Sequence, residues 1–203
     1  MSILLAPATP GDVAARLGPA LSGRTIALVG NARSLGETTC GAEIDGCDLV
    51  VRLNAAPMGA ASSHGRHTGW LAASIFVPAA RLRALQPRAM LWMSPKGRWR
   101  AAARYGWRGP LSFYPLPWWR ELSTALGGNR PSTGLMTIDL LRRIGGFAEL
   151  RLFGFDFFAS GSLSVRKIGA PPPHDFARER QHVARLLETT SCIRLVRAAG
   201  QSA

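Results

Sequence analysis

Two short runs of Ile, Leu and Val, each closing on an asparagine, constrain this chain more than any other feature. The first lies in Ile26-Ala-Leu-Val-Gly-Asn-Ala-Arg-Ser-Leu-Gly36, the second in Ile44-Asp-Gly-Cys-Asp-Leu-Val-Val-Arg-Leu-Asn-Ala-Ala-Pro57. Short continuous apolar runs bounded by turn residues suit strands of a parallel sheet, where crossover helices keep water from both faces. In open α/β sheets ligands bind beyond the carboxyl ends of the strands, which is where Asn31 and Asn54 fall. A turn after Gly30 would aim backbone N–H groups at an anion, and a glycine there would keep a side chain out of the ligand's way. The Gly30 to Gly36 spacing is neither the G-x-G-x-x-G dinucleotide turn nor a Walker loop, since no Gly-Lys-Ser/Thr follows. Spacing alone therefore leaves a phosphate-binding turn and an ordinary βα turn both open. For Asn31 and Asn54 the alternative is turn chemistry, because Asn tolerates positive φ and bonds its own backbone.

A chain of 203 residues can bury the core of one domain. The expected organisation is a lead-in over 1–23, a single α/β domain over 24–198 and a tail over 199–203. The net charge is +13, and only two of the 25 basic residues, Lys96 and Lys167, are lysines. Such Arg-, Ala- and Gly-rich usage is that of a GC-rich bacterial coding sequence. The charge favours an anionic partner: a nucleotide, an acidic glycan, a phospholipid surface or nucleic acid. No zinc-finger, helix-turn-helix, RNP or KH pattern is present, so specific nucleic-acid binding is not expected. Three cysteines, Cys40, Cys47 and Cys192, without C-x-x-C spacing argue against a disulfide framework or a zinc site and for a reducing compartment. The first ten residues lack a basic stretch before a signal-type apolar run, and no window approaches the ~20 apolar residues of a membrane span. The expectation is a cytoplasmic protein with a peripheral contact to the inner, anionic membrane face.

Along the chain, strands and helices alternate. A short helix is expected near Val13 to Leu17, and the sheet begins at Arg24. Met58 to Gly69, with His64 and His67, reads as a loop or short helix. Trp70 to Phe76 and Ala89 to Met93 are strands, with a helix over Pro78 to Leu85 between them. Gly97 to Arg120 interleaves Arg98, Arg100, Arg104, Arg108 and Arg120 with seven aromatic residues. Aromatics stack on sugars or settle at membrane interfaces while Arg forks bind phosphate or carboxylate, so an acceptor contact is one reading. An amphipathic helix with core-packed aromatics is the other. Pro131 to Gly146 is a helix opened by a polar turn, with Leu135, Ile138, Leu141 and Ile144 on one face and glycines at its end. Ser132 or Thr133 is its N-cap, and the same groups could serve a phosphate. A strand from Glu149 puts Asp156 near a carboxyl end. A Ser/Gly loop, a Pro run with His174, a helix to about Glu188 and a strand from Cys192 to Val196 complete the chain.

Taken together these segments resemble glycosyltransferase family 29, the eukaryotic-type sialyltransferases, in a short bacterial form. The family's large motif is similar to Val29-Gly-Asn-Ala-Arg-Ser-Leu joined to Ile44-Asp-x-x-Asp48 and Val51-Arg-Leu-Asn-Ala-Ala-Pro57. Its small motif resembles Pro131-Ser-Thr-Gly134 with the helix and Leu152-Phe-Gly-Phe155 beyond. Its very small motif, His-x4-Glu, resembles His174-Asp-Phe-Ala-Arg-Glu179. The resemblance spans Arg24 to about Glu188, with a shorter, unmatched middle.

It implies a single-domain Rossmann-like three-layer sandwich with a mostly parallel sheet, of the variant GT-A type. The implied function is inverting, metal-independent transfer of a nonulosonic acid, sialic or Kdo-like, from a CMP-sugar to a glycan or lipid-linked acceptor. A catalytically inactive CMP-binding module of the same fold is the alternative. The donor is the substrate and no cofactor is expected, because a leaving group with one phosphate can be stabilised by N–H, amide and imidazole donors without Mg²⁺. No Asp-x-Asp occurs, Glu43-Ile-Asp45 being the nearest pattern. By the resemblance, Asn31 and Asn54 hold phosphate and ribose, beside the Gly30 turn already read as nucleotide-binding, and Ser132, Thr133 and Gly134 cradle the CMP. His174 donates to the departing phosphate, which an imidazole near its unperturbed pKa of about 6.5 can do, and Glu179 orients the loop or the His. Read from the residues alone, His174 is also a helix-start residue with Asp175 as cap. The family's second His, thought to deprotonate the acceptor, has no counterpart between Asp156 and Pro173. Asp156 is the expected substitute, with His64 or His67 as others. The family's motif-linking disulfide also lacks its cysteine in the small-motif region. Arg52 reads as a sheet or loop anchor.

Overall fold

A computed structural model describes residues 9–96, 107, 109–157, 159–161, 163 and 174–196. Seven strands form one sheet: β1 (Thr25–Val29), β2 (Leu49–Leu53), β3 (Trp70–Ala73), β4 (Ala89–Trp92), β5 (Leu111–Phe113), β6 (Glu149–Phe153) and β7 (Ile193–Val196). Their order is β5-β4-β3-β2-β1-β6-β7, and every neighbouring pair is parallel. The helices are α1 (Pro10–Leu21), α2 (Gly41–Asp45), α3 (Ala61–His64), α4 (Ala79–Leu85), α5 (Leu116–Ala125), α6 (Thr133–Ile144) and α7 (Phe176–Thr189), with a 3₁₀ turn over Arg33–Glu37.

Side chains alternate across a strand, and here both sets are apolar. Ile26, Leu28, Val51, Leu53, Leu91 and Leu152 share one core with Leu17 and Leu21 of α1, Leu122 of α5, Leu140 and Leu141 of α6 and Val183 of α7. On the opposite face Ala27, Val29, Val50 and Phe153 pack with Leu35 and Ile44, and Leu71, Ala73, Met90 and Trp92 pack with Leu82 and Leu85 of α4. A sheet buried between two helical layers is the Rossmann-like sandwich expected, with all its described pairs parallel.

Several elements differ from the expectation. Residues 10–21, read as a lead-in with a short helix, form the whole of α1 and bury Val13, Leu17 and Leu21. Thr9 and Asp12 close a capping box at its start, each side chain accepting from the other's backbone. The second strand begins at Leu49, because Gly41–Asp45 is helical and Asp45 turns back to accept from the N–H groups of Arg66 and His67. The region 97–120 gives β5 and α5, while 97–106 and 108, with their Arg residues, lie outside the described part. Tyr114 and Trp118 are buried in the core. The Tyr114 hydroxyl donates to Asp139, and Arg143 lies over the Trp118 ring at 5.4 Å while binding Asp139 and Glu121. For these two aromatics the core reading holds.

The strand order reverses at β1, whose neighbours β2 and β6 lead away in opposite directions. There Gly30 N–H donates to the Phe153 carbonyl at 2.7 Å, and a Cβ on Gly30 would stand 2.3 Å from the Gly154 carbonyl oxygen. The glycine is thus demanded by a backbone crossing, a reason beyond the ligand access read from the sequence. Gly30→Ala is expected to cost about 3 kcal/mol, since backbone stands where the methyl must go. Urea unfolding checks this, and wild-type stability in the variant would contradict the crossing.

Candidate active site

A cavity of about 500 Å³ opens at the carboxyl ends of β1 to β4 and β6, against the first turns of α6 and α7. Nine of the residues singled out from the sequence line it: Gly30, Asn31, Asn54, Ser132, Thr133, Gly134, Asp156, His174 and Glu179. Segments far apart in the chain meet there because parallel strands deliver their loops to one edge.

Asn54 follows β2 at φ 54°, the left-handed backbone that Asn accepts better than most residues. Its Oδ1 accepts from Ser74 N–H at 3.0 Å and its Nδ2 donates to Thr133 Oγ1 at 3.4 Å, while the Thr133 hydroxyl donates to Ser74 Oγ at 2.8 Å. Asn31 donates through Nδ2 to the Leu53 carbonyl at 3.3 Å, and its own carbonyl accepts from Leu163 N–H. Turn chemistry and cavity lining therefore coexist at both asparagines.

Ser132 caps α6, its Oγ accepting from Leu135 N–H at 3.2 Å. Glu179, only 2 % exposed, grips that cap: Ser132 N–H donates to one carboxylate oxygen and Ser132 Oγ–H to the other, both at 2.6 Å. Burial pushes the Glu179 carboxyl above its ordinary pKa, and the two Ser132 bonds pull the other way. Glu179 thus orients the small-motif loop, not His174. The N–H groups of Thr133 and Gly134 have no partner within the helix and carry the positive end of its dipole. Gly134 has its own steric reason, since a Cβ there would lie 2.9 Å from the Phe155 ring.

His174 stands before α7, and its Nδ1 bonds the Arg130 carbonyl at 2.9 Å. A carbonyl only accepts, so Nδ1 carries the proton and the neutral ring presents a lone pair at Nε2. Burial lowers the His174 pKa and the nearby Arg130 charge adds to this, while the carbonyl bond opposes them. Asp175 is the cap expected of it, accepting from Arg178 N–H at 3.1 Å.

Asp156 is knotted into the loops. Its Oδ2 accepts from Ser34 Oγ and Ser160 N–H, each at 3.0 Å, and from Ser160 Oγ. The carboxylate expected to act as base instead ties the turn after β1 to the loop after β6. The other substitutes lie off the cavity. His64 is buried in α3 with Nδ1 against Ser63 Oγ at 2.8 Å, and His67 sits 3.6 Å from Asp45. The backbone carbonyls of both accept from the Arg52 guanidinium, at 2.8 and 2.9 Å. Arg52 is the loop anchor expected, its guanidinium pushed down by burial to about 10. Glu43 and Asp45 are likewise structural, Glu43 pairing with Arg194 and Arg151. Among the described residues no group of three or more His, Cys, Asp or Glu gathers as a metal site would require.

The sequence did not single out Ser74, Lys96 or Arg130, which line the cavity, while Trp119, one of the seven aromatics read as an acceptor contact or core, lines it too. Arg130 could have been found, since it directly precedes the Pro131-Ser-Thr-Gly134 turn. Ile75, a large apolar residue exposed after β3, lines the cavity, Phe76 next to it in the chain is also exposed, and Leu163 N–H bonds the Asn31 carbonyl. No described helix is long and apolar enough to cross a membrane.

A parallel sheet under two helical layers, with a cavity at its switch point, defines a Rossmann-like α/β protein. The model of glycosyltransferase family 29 (sialyltransferase) matches residues 5–72, the stretch from α1 into β3. Among solved structures, a mammalian sialyltransferase superposes with a TM-score of 0.63 at 20 % identity, covering 97 % of this chain and 82 % of that one. The sialyltransferase CstII from Campylobacter jejuni in complex with the substrate analogue CMP-3FNeuAc gives 0.56 at 15 % identity, over 88 % and 81 % of the two chains. Sialyltransferase CST-II in complex with a trisaccharide acceptor and CMP gives 0.58 at 14 %, over 88 % and 82 %. At these identities the likeness establishes the fold. No protein of curated function matches the sequence. The family model covers the first of the three motifs and not the other two, and it agrees with the resemblance read from the sequence.

Glu179→Gln puts an N–H against one of the two Ser132 donors. Loss of that buried bond is expected to cost about 1–3 kcal/mol in urea unfolding; unchanged stability would show that the grip on Ser132 does not hold the cap.

Proposed function

We propose that this protein is an inverting, metal-independent transferase that moves a nonulosonic acid, sialic or Kdo-like, from a CMP-sugar to a glycan or lipid-linked acceptor. One observation carries the reading: Asn31 and Asn54, Ser132 to Gly134, and His174, from three separated motifs, line one cavity at the N-terminus of α6. The family match and the CMP and CMP-3FNeuAc complexes named for fold relatives support the same donor class.

A departing CMP carries one phosphate. The N–H groups of Thr133 and Gly134 and the carboxamides of Asn31 and Asn54 can receive its charge, in a site already formed before ligand arrives. The acceptor oxygen bonds the anomeric carbon as the bond from that carbon to the phosphate oxygen breaks, and attack from the opposite face inverts the centre. The acceptor proton passes to Nε2 of His174. A half-buried neutral imidazole with a lone pair at Nε2 suits a base better than the phosphate donor expected from the sequence, and this fills the vacancy that Asp156 does not. No step in this scheme calls for a metal.

The exposed Ile75 on the cavity lining and the +13 net charge support an amphipathic, lipid-linked acceptor met at an anionic surface. The odd cysteine count fits a cytoplasmic setting at the inner membrane face.

Calorimetric titration with CMP, UDP and GDP, followed by hydrolysis assays on CMP-sialic acid and CMP-Kdo, tests the reading. Selective CMP binding with donor cleavage is expected, reduced on the order of 10²–10⁴-fold in His174→Ala. CMP binding without cleavage or transfer would assign the non-catalytic module, and the absence of a cytidine preference would contradict both. Because burial depresses the folded-state pKa of His174, the acid limb of the rate is expected to lie below the range of a free imidazole and to be removed in His174→Ala.

A further inference from the structure

Ala56 follows Asn54 by two residues and also stands in the left-handed region, at φ 43°. A β-carbon disfavours this backbone, and two such residues closing one turn will not stay there unless something holds them. The Ala56 N–H bonds the Leu53 carbonyl at 2.9 Å, and its methyl, 3 % exposed, packs in the cluster with Leu82 and Leu85 of α4. From the first turn of the same helix, Arg81 reaches back to the turn. Its Nε–H donates to the Ala55 carbonyl at 2.7 Å and its Nη2–H to the Ala56 carbonyl.

We propose that Arg81 is a positioning residue for the nucleotide cavity, acting by gripping the two carbonyls that follow Asn54 and so holding Asn54 in its left-handed conformation. Arg81 does not line the cavity. Its effect passes through the Asn54 carboxamide, which spans Ser74 N–H and Thr133 Oγ1 and thereby joins the β2 and β3 turns to the first residue of α6. Two planar donors meeting adjacent carbonyls fix a peptide's orientation as well as its place, whereas an ammonium supplies a point charge without that geometry. The consequence for CMP rests on the transferase reading; the consequence for the Asn54 turn does not.

The test uses the full chain with Arg81→Ala, Arg81→Lys, Ala56→Gly, and Arg81→Ala combined with Ala56→Gly. Two quantities are read: hydrogen exchange of the Ser74 amide without ligand, and the CMP dissociation constant by calorimetry. In Arg81→Ala the Ser74 amide is expected to exchange faster and CMP to bind on the order of tenfold more weakly. Arg81→Lys, which keeps the charge and much of the packing, serves if the alanine variant fails to fold, and is expected to show the same two changes in smaller measure. A glycine at 56 removes the β-carbon penalty and is expected to restore both quantities in the Arg81→Ala background while changing neither alone. Unchanged Ser74 exchange in folded Arg81 variants overturns the proposal, and so does a loss that Ala56→Gly fails to repair. If the wild type binds no CMP but Ser74 exchange responds as stated, the clamp stands and the nucleotide reading falls.

Discussion

Where β1 ends, the chain passes the turn after β6 so closely that a single β-carbon would drive into the Gly154 carbonyl. This crossing sits at the point where the strand order reverses, between β2 on one side and β6 on the other. Gly30 can therefore lie against Gly154, and Asn31 and Asn54 line the same cavity as Phe155 and Asp156. The loop after β6 is then fastened to the turn after β1, Asp156 bonding Ser34 and Leu163 bonding Asn31. The cavity is a consequence of that tight crossing in an otherwise regular sheet.

Two polar contacts then bring the remaining motifs to the same rim. Glu179 on α7 holds Ser132 by backbone and hydroxyl together, which fixes where α6 starts relative to α7. Thr133, the next residue, is reached by Asn54 from β2 and bonds Ser74 after β3. Donors held in this way before a ligand arrives need little reorganisation when charge develops on a leaving phosphate, which is the condition under which fixed dipoles stabilise it most. The glutamate of the His-x4-Glu pattern thus contributes through the small motif, and its histidine is held separately by the Arg130 carbonyl.

The central strands were legible because Ile26 to Val29 and Leu49 to Leu53 are apolar on both faces, and the site was legible because turn residues at strand ends must sit on one edge of a parallel sheet. Other features depend on partners that no local pattern reveals. The steric demand at Gly30 was hidden because the neighbour that sets it, Gly154, follows a distant strand. Asp156 looked like a base because Ser34 and Ser160, which occupy it, are ordinary loop serines. The three residues of β5 are too few for a periodic signal, and α1 hid behind prolines and glycines although Thr9 and Asp12 spell its cap. Arg81 resembled any solvated helical arginine among many.

The central claim is that separated segments form one preformed cytidine-nucleotide site at the start of α6. Amide chemical shifts followed through a CMP titration of the isotopically labelled protein test it most directly. The account predicts saturable changes concentrated at Asn31, Asn54, Ser74 and Thr133 to Leu135, with little response to UDP or GDP. Changes confined to the opposite edge of the sheet, or equal responses to all three nucleotides, would contradict it.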